Sequence, residues 1–177
     1  MGVGRWRGYD DRVSEEAADF VDVMLDQWRR ERPDLDLSPM GVFARLARLT
    51  RMVEDAVEEV FRLHGLRQGE FDVLAALRRS GAPYTMIPSE LSAVLMTSRA
   101  GMTSRLDRLE AAGLVERNLD PADRRSFQIV LTDKGREVID ATLTDHAANL
   151  AGLAEGLTPE DAATLNRIVR GLLGALS

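Results

Sequence analysis

The chain has 177 residues, enough for one compact domain with helical extensions, and is 45% hydrophobic and 29% charged. It contains no cysteine, which excludes disulfide staples, thiolate metal sites and a cysteine redox switch; no apolar run approaches the ~20 residues of a membrane span. The formal net charge of −6 speaks against a polyanionic partner, but the charge is unevenly spread. Residues 97–136 hold eight Arg and Lys against six Asp and Glu, a local +2, whereas residues 1–37 hold six against ten, a local −4.

The segment Met1 to Asp11 mixes Arg and Asp and lacks the apolar core of a secretory leader, so a cytoplasmic address is expected. Ser14 followed by Glu15 and Glu16 reads as a helix cap with acids on the positive end of the dipole. Phe20, Met24 and Trp28, with Val21 and Leu25, give that helix an apolar face, and Pro33 ends it. Ser38-Pro39 opens a long second helix carrying Phe43, Leu46, Val53, Val57 and Phe61, and Gly65 sits at its C-terminal cap position. A third helix is expected from Gln68 to Arg79, stopped by Gly81.

Two short helices follow, Pro88 to Leu95 and Ser98 to Ala112, with only Met96 and Thr97 between them. That is the tight connection of a helix-turn-helix. In the second, Met102, Leu106, Leu109 and Gly113 recur at four, three and four as a buried stripe, leaving Arg99, Ser104, Arg105 and Arg108 largely outside it. Strand-like runs then occur at Leu114 to Leu119 and Phe127 to Leu131, joined by a polar hairpin, Asp120 to Ser126. Two strands and a basic loop behind a helix-turn-helix make a wing. Thr132 caps another long helix, Gly156 interrupts it, and Thr158-Pro159 starts the last one. The fold class is therefore mainly α with a small β wing. Three parts are expected: an N-terminal extension (1–37), a helical dimerisation region (38–66 and 132–177), and a DNA-binding lobe (67–131).

Three stretches carry a family likeness: Pro88-Ser89-Glu90-Leu91; Arg108 to Arg117, reading RLEAAGLVER; and Asp123-Arg124-Arg125 with Leu131-Thr132-Asp133-Lys134-Gly135. In this order and spacing they resemble the MarR family of bacterial transcriptional regulators, over roughly Ser38 to Leu173. The resemblance implies a homodimer whose first long helix and two terminal helices intertwine below two winged lobes. Ile87 is a departure, since the family often places a Thr or Ser cap there.

A recognition helix reads base edges in the major groove with its N-terminal side chains, here Ser98, Arg99, Ala100, Thr103 and Ser104. Only Arg99 among them can fork onto guanine O6 and N7; otherwise it is a solvated or phosphate-bound arginine. By resemblance, Arg124 and Arg125 belong at the wing tip, Arg125 entering a minor groove braced by Asp123. Two lobes imply a pseudo-palindromic operator in double-stranded DNA.

The additional N-terminal helix resembles a urate-responsive subgroup of the family. That resemblance nominates Trp28, Asp72, Arg105 and Arg117 for a small planar anion, urate or another organic acid. Two guanidiniums suit an anion, an indole can stack, and a carboxylate accepts from ring N–H groups. The same residues also have plain readings: Trp28 as core, Asp72 as surface, Arg105 as a phosphate contact, and Arg117 as a common wing residue.

Enzyme chemistry has little support. His64 and His146 stand in no metal-ligand spacing, and no phosphate loop or nucleophile elbow is present, so no catalytic residue, metal or cofactor is expected. The remaining alternatives are a DNA-binding regulator without a ligand, and an acidic protein-interaction module. The basic wing, Arg124 and Arg125, separates a DNA binder from a purely helical adaptor.

Overall fold

A computed structural model describes residues 18–119 and 127–176. The chain divides into two compact units, residues 1–52 and 53–177. Ile139, on the long helix after Thr132, joins the same buried cluster as the winged lobe.

In the first unit, helix α1 spans Phe20–Glu31. Its cap is Asp19, whose carboxylate accepts from the amides of Val21 and Asp22, while the Asp22 carboxylate accepts in return from the Asp19 amide. This capping box corrects the expected start: the helix begins at Phe20, not near Ser14, which lies outside the described residues. Val21, Leu25 and Leu37 form a small apolar cluster. Arg45 ties it together from helix α2 (Ser38–Leu63) with bonds to Asp19 and Asp22 at 2.6–3.1 Å.

The second unit contains the C-terminal turns of α2, then α3 (Gln68–Arg79), strand β1 (Thr85–Met86), α4 (Pro88–Val94) and α5 (Arg99–Ala111). Strands β2 (Val115–Leu119) and β3 (Phe127–Leu131) follow, then α6 (Asp133–Leu153) and α7 (Pro159–Leu176). The three strands form an antiparallel sheet in the order β1-β3-β2, with Thr85 opposite Val130 and Val115 opposite Leu131. A pair of residues offers no alternation to read, so β1 has no signal in the sequence. The core joins Leu74 and Leu77 of α3, Leu91 of α4, Met102, Leu106 and Leu109 of α5, and Ile129 of β3, each at most 2% exposed. Phe61 stacks on Phe71 with ring centroids 4.2 Å apart, and His146 packs against both. Among the described residues, no helix is long and apolar enough to cross a membrane.

One junction holds the C-terminal end of α5. Thr132 caps α6 by accepting from the Gly135 amide at 2.9 Å, and the same hydroxyl approaches the carbonyls of Gly113 and Leu114. Lys134 reaches the Ala112 carbonyl at 2.7 Å. Gly135 permits this approach, because a Cβ there would run into the Leu114 carbonyl oxygen. Gly113 itself is exposed in a left-handed turn (φ 70°) and so lies outside the buried stripe, correcting its expected place.

Thr132→Ala removes the cap and the carbonyl bonds together. It should cost about 1–2 kcal/mol and lower the melting temperature by about 2–4 °C per kcal/mol, measured by thermal denaturation at fixed protein concentration.

Candidate nucleic-acid interface

The turn between α4 and α5 passes through Met96 with φ 47°, and Met96 is 94% exposed. Ser98 then adopts an extended backbone and accepts the Gly101 amide at 3.2 Å, starting α5 with its first turn in solvent. The inner face of α5 is the Met102, Leu106 and Leu109 stripe, and Ser98, Arg99, Ala100, Thr103 and Ser104 are all exposed on the other side.

These side chains differ in their commitments. Thr103 donates to the Arg99 carbonyl at 3.0 Å, and Ser104 accepts from Arg108 at 2.7 Å. Arg99 makes no ion pair with any described residue. A recognition helix needs such an arrangement: apolar on the buried side, with a free guanidinium near the N-terminal end. Asp123, Arg124 and Arg125 of the hairpin lie outside the described residues.

The tie that sets the tilt of α5 escapes a reading of the sequence. Glu70 is 6% exposed, and its carboxylate accepts the Arg67 amide at 2.9 Å and Arg108 Nε at 2.5 Å. One buried carboxylate thus caps α3 and anchors α5. The available signal is a glutamate at the third position of α3, where a capping-box acid belongs. Ile87 is resolved the same way: Glu90 takes its amide at 3.2 Å, so α4 starts cleanly at Pro88 without a hydroxyl cap.

The four ligand nominees fall in different settings. Asp72 is half-buried on α3 and lies within electrostatic reach of Arg105 and Arg79. Burial pushes its carboxyl up, and the two arginines only partly pull it back. Arg105 rests against the backbone of α3 at Gly69, three residues before Asp72. Neither Asp72 nor Arg105 closes an ion pair or hydrogen bond with a described residue. Arg117, in contrast, is committed to Asp107 at 2.5 Å and Glu110 at 2.9 Å. Those positions lie about 200° and 140° around α5 from Arg105 at roughly 100° per residue, on the far side of the helix. Trp28 belongs to the first unit and is 47% exposed, so it is not a core residue.

His64 Nε2 lies 2.8 Å from the Asp145 carboxylate. Among the described residues, no group of three His, Cys, Asp or Glu is placed to hold a metal ion.

A MarR-family model matches residues 64–126, spanning α3 to the wing hairpin. The transcriptional regulator PecS of Dickeya dadantii is 42% identical over 154 residues, which is 87% of this chain and 90% of that protein. The chain belongs to the MarR family. Sco3205, a MarR-family regulator from Streptomyces coelicolor in complex with DNA, superposes with a TM-score of 0.72 at 24% identity. The match covers 81% of this chain and 90% of that one. CouR from Rhodococcus jostii RHA1, bound to p-coumaroyl-CoA, gives 0.63 at 25% identity over 74% and 90%. This MarR-family chain is accordingly a DNA-binding transcriptional regulator and not an enzyme.

The raised Asp72 carboxyl sets a pH dependence. In the unfolded chain it ionises near 3.8, and in the folded chain above that. The folded state therefore bears a penalty that is absent below the ordinary value and complete once pH has risen past the raised one. Asp72→Asn should melt higher than wild type at pH 7. The difference should shrink towards zero as pH falls through the carboxylate range, as thermal melts across pH would measure.

Proposed function

We propose that the protein is a homodimeric repressor acting in the cytoplasm. It reads a pseudo-palindromic operator and releases it on binding a small planar anion, urate or a similar organic acid. The observation that carries the DNA part is α5, buried along one stripe and open along the other, with Arg99 unpaired among the described residues at its start. Arg99 forks onto a base pair in the major groove, and Arg124 and Arg125, braced by Asp123, follow the adjacent minor groove.

The dimer is supported by α7, an amphipathic helix with no buried residue, where Ile168 is 47% and Leu176 78% exposed. Leu143, Leu150 and Leu153 of α6 add to the uncovered apolar surface. Surface of this kind marks an interface. Light scattering should give about twice 19.6 kDa at micromolar concentration; a monomer there would refute the dimer.

The ligand part rests on Asp72 and Arg105, an acceptor and a donor within electrostatic reach of one another that close no hydrogen bond or ion pair. An oxo-anion with ring N–H groups satisfies both. Trp28 and Arg117 remain nominees from the family resemblance. A ligand that prefers the DNA-free protein weakens DNA binding by the same coupling factor, and a ten-fold loss needs about 1.4 kcal/mol.

Fluorescence anisotropy with operator DNA tests the assignments. Arg99→Ala should relax preference at particular base pairs. Arg125→Ala should instead weaken all sequences and flatten the salt slope by about 0.9 for each phosphate it no longer neutralises. Millimolar urate should release wild-type protein but not Arg105→Ala or Trp28→Phe. No release from wild type would leave a ligand-independent regulator, and release unchanged by the substitutions would put the ligand elsewhere.

A further inference from the structure

Arg105 lies on the helix that enters DNA, yet its guanidinium is turned inward against α3. The approach is close enough to depend on a missing side chain. A Cβ on Gly69 would fall 2.5 Å from Arg105 Nε, 2.6 Å from Cζ and 3.0 Å from Nη2. The first two are shorter than real Cβ contacts and the third is tighter than most, so a side chain at residue 69 would displace the guanidinium from this place. Asp72, one turn further on the same face of α3, supplies the nearby opposite charge. No hydrogen bond or ion pair to a described residue holds the guanidinium there. The niche at Gly69 and the attraction of Asp72 are what keep it.

We propose that Gly69 is a positioning residue that seats Arg105 on α3 and so withholds one positive charge per lobe from the DNA phosphates. A Cβ at residue 69 would fill the niche and displace the flexible side chain. Once outside, the guanidinium joins the exposed face of α5, which is flanked by phosphates when the helix lies in the major groove. Gly69 thereby sets how much of the recognition helix's charge is available to DNA. It does so from α3, without touching the nucleic acid.

Gly69→Ala separates this role from folding. Alanine is a better helix former than glycine, and the atoms displaced are the end of a flexible side chain. The inference rests on α5 being the groove-entering helix, which the base preference of Arg99→Ala checks separately. The experiment measures the salt dependence of DNA affinity for wild type, Gly69→Ala, Arg105→Ala and the double variant.

Wild type and Arg105→Ala should share one slope of log K against log salt, because the seated arginine meets no phosphate. Gly69→Ala should be steeper by about 0.9 per lobe, and adding Arg105→Ala should restore the wild-type slope. A shallower slope for Arg105→Ala than for wild type would overturn the proposal, since Arg105 would already be on phosphate. An unchanged slope for a folded Gly69→Ala protein would overturn it equally. The Arg105→Ala comparison alone remains decisive if Gly69→Ala does not fold.

Discussion

A buried carboxylate that must satisfy two helices at once is the constraint on which the lobe depends. Glu70 is almost fully enclosed, so its charge has to be met by donors inside the protein. One oxygen takes the Arg67 amide and the other takes Arg108. The start of α3 and the last turn of α5 are therefore fixed by the same group. Removing either partner would leave a buried charge half-satisfied, which costs more than the bond contributes when made. Arg108 in turn holds Ser104, carrying the order outward to the exposed face of α5.

The C-terminal end of α5 is fixed a second time, by different means. There the first turn of α6 reaches back, with Thr132 and Lys134 meeting the carbonyls of Ala112, Gly113 and Leu114. The exposed first turns of the helix, residues 98–104, project from these two anchors. Both anchors belong to elements away from the DNA-facing surface, α3 and α6. A ligand that altered the surroundings of Asp72 would act on α3, and a change in the packing of α6 would act on the residues that follow α5. The recognition helix is thus held at two points, either of which can transmit a change to it.

Much of this is legible in the sequence. Periodicity and glycine stops place α3 from Gln68 to Arg79, with both ends where the structure has them. The Met102, Leu106 and Leu109 stripe and the Thr132 cap are readable for the same reason, since local spacing decides both. What fails to show depends on choices between equivalent local signals or on distant partners. Ser14-Glu15-Glu16 is the start the sequence suggests, while the described helix has its reciprocal capping bonds at Asp19 and Asp22. Trp28 sits on an apolar stripe yet is half-exposed, because spacing tells which side chains share a face and not what covers that face. The ion pairs of Arg117 with Asp107 and Glu110 likewise join residues with no local mark in the sequence. The Glu70 tie joins residues 38 positions apart and has only a weak local mark.

The central claim is that α5, anchored on its inner side, delivers Ser98 to Ser104 to the major groove. Amide chemical-shift mapping of the isotopically labelled protein on addition of operator DNA tests it directly. The account predicts the largest changes at residues 98–104 and along β2 and β3, with α7 nearly silent. Changes confined to α6 and α7, with residues 98–104 unmoved, would contradict it.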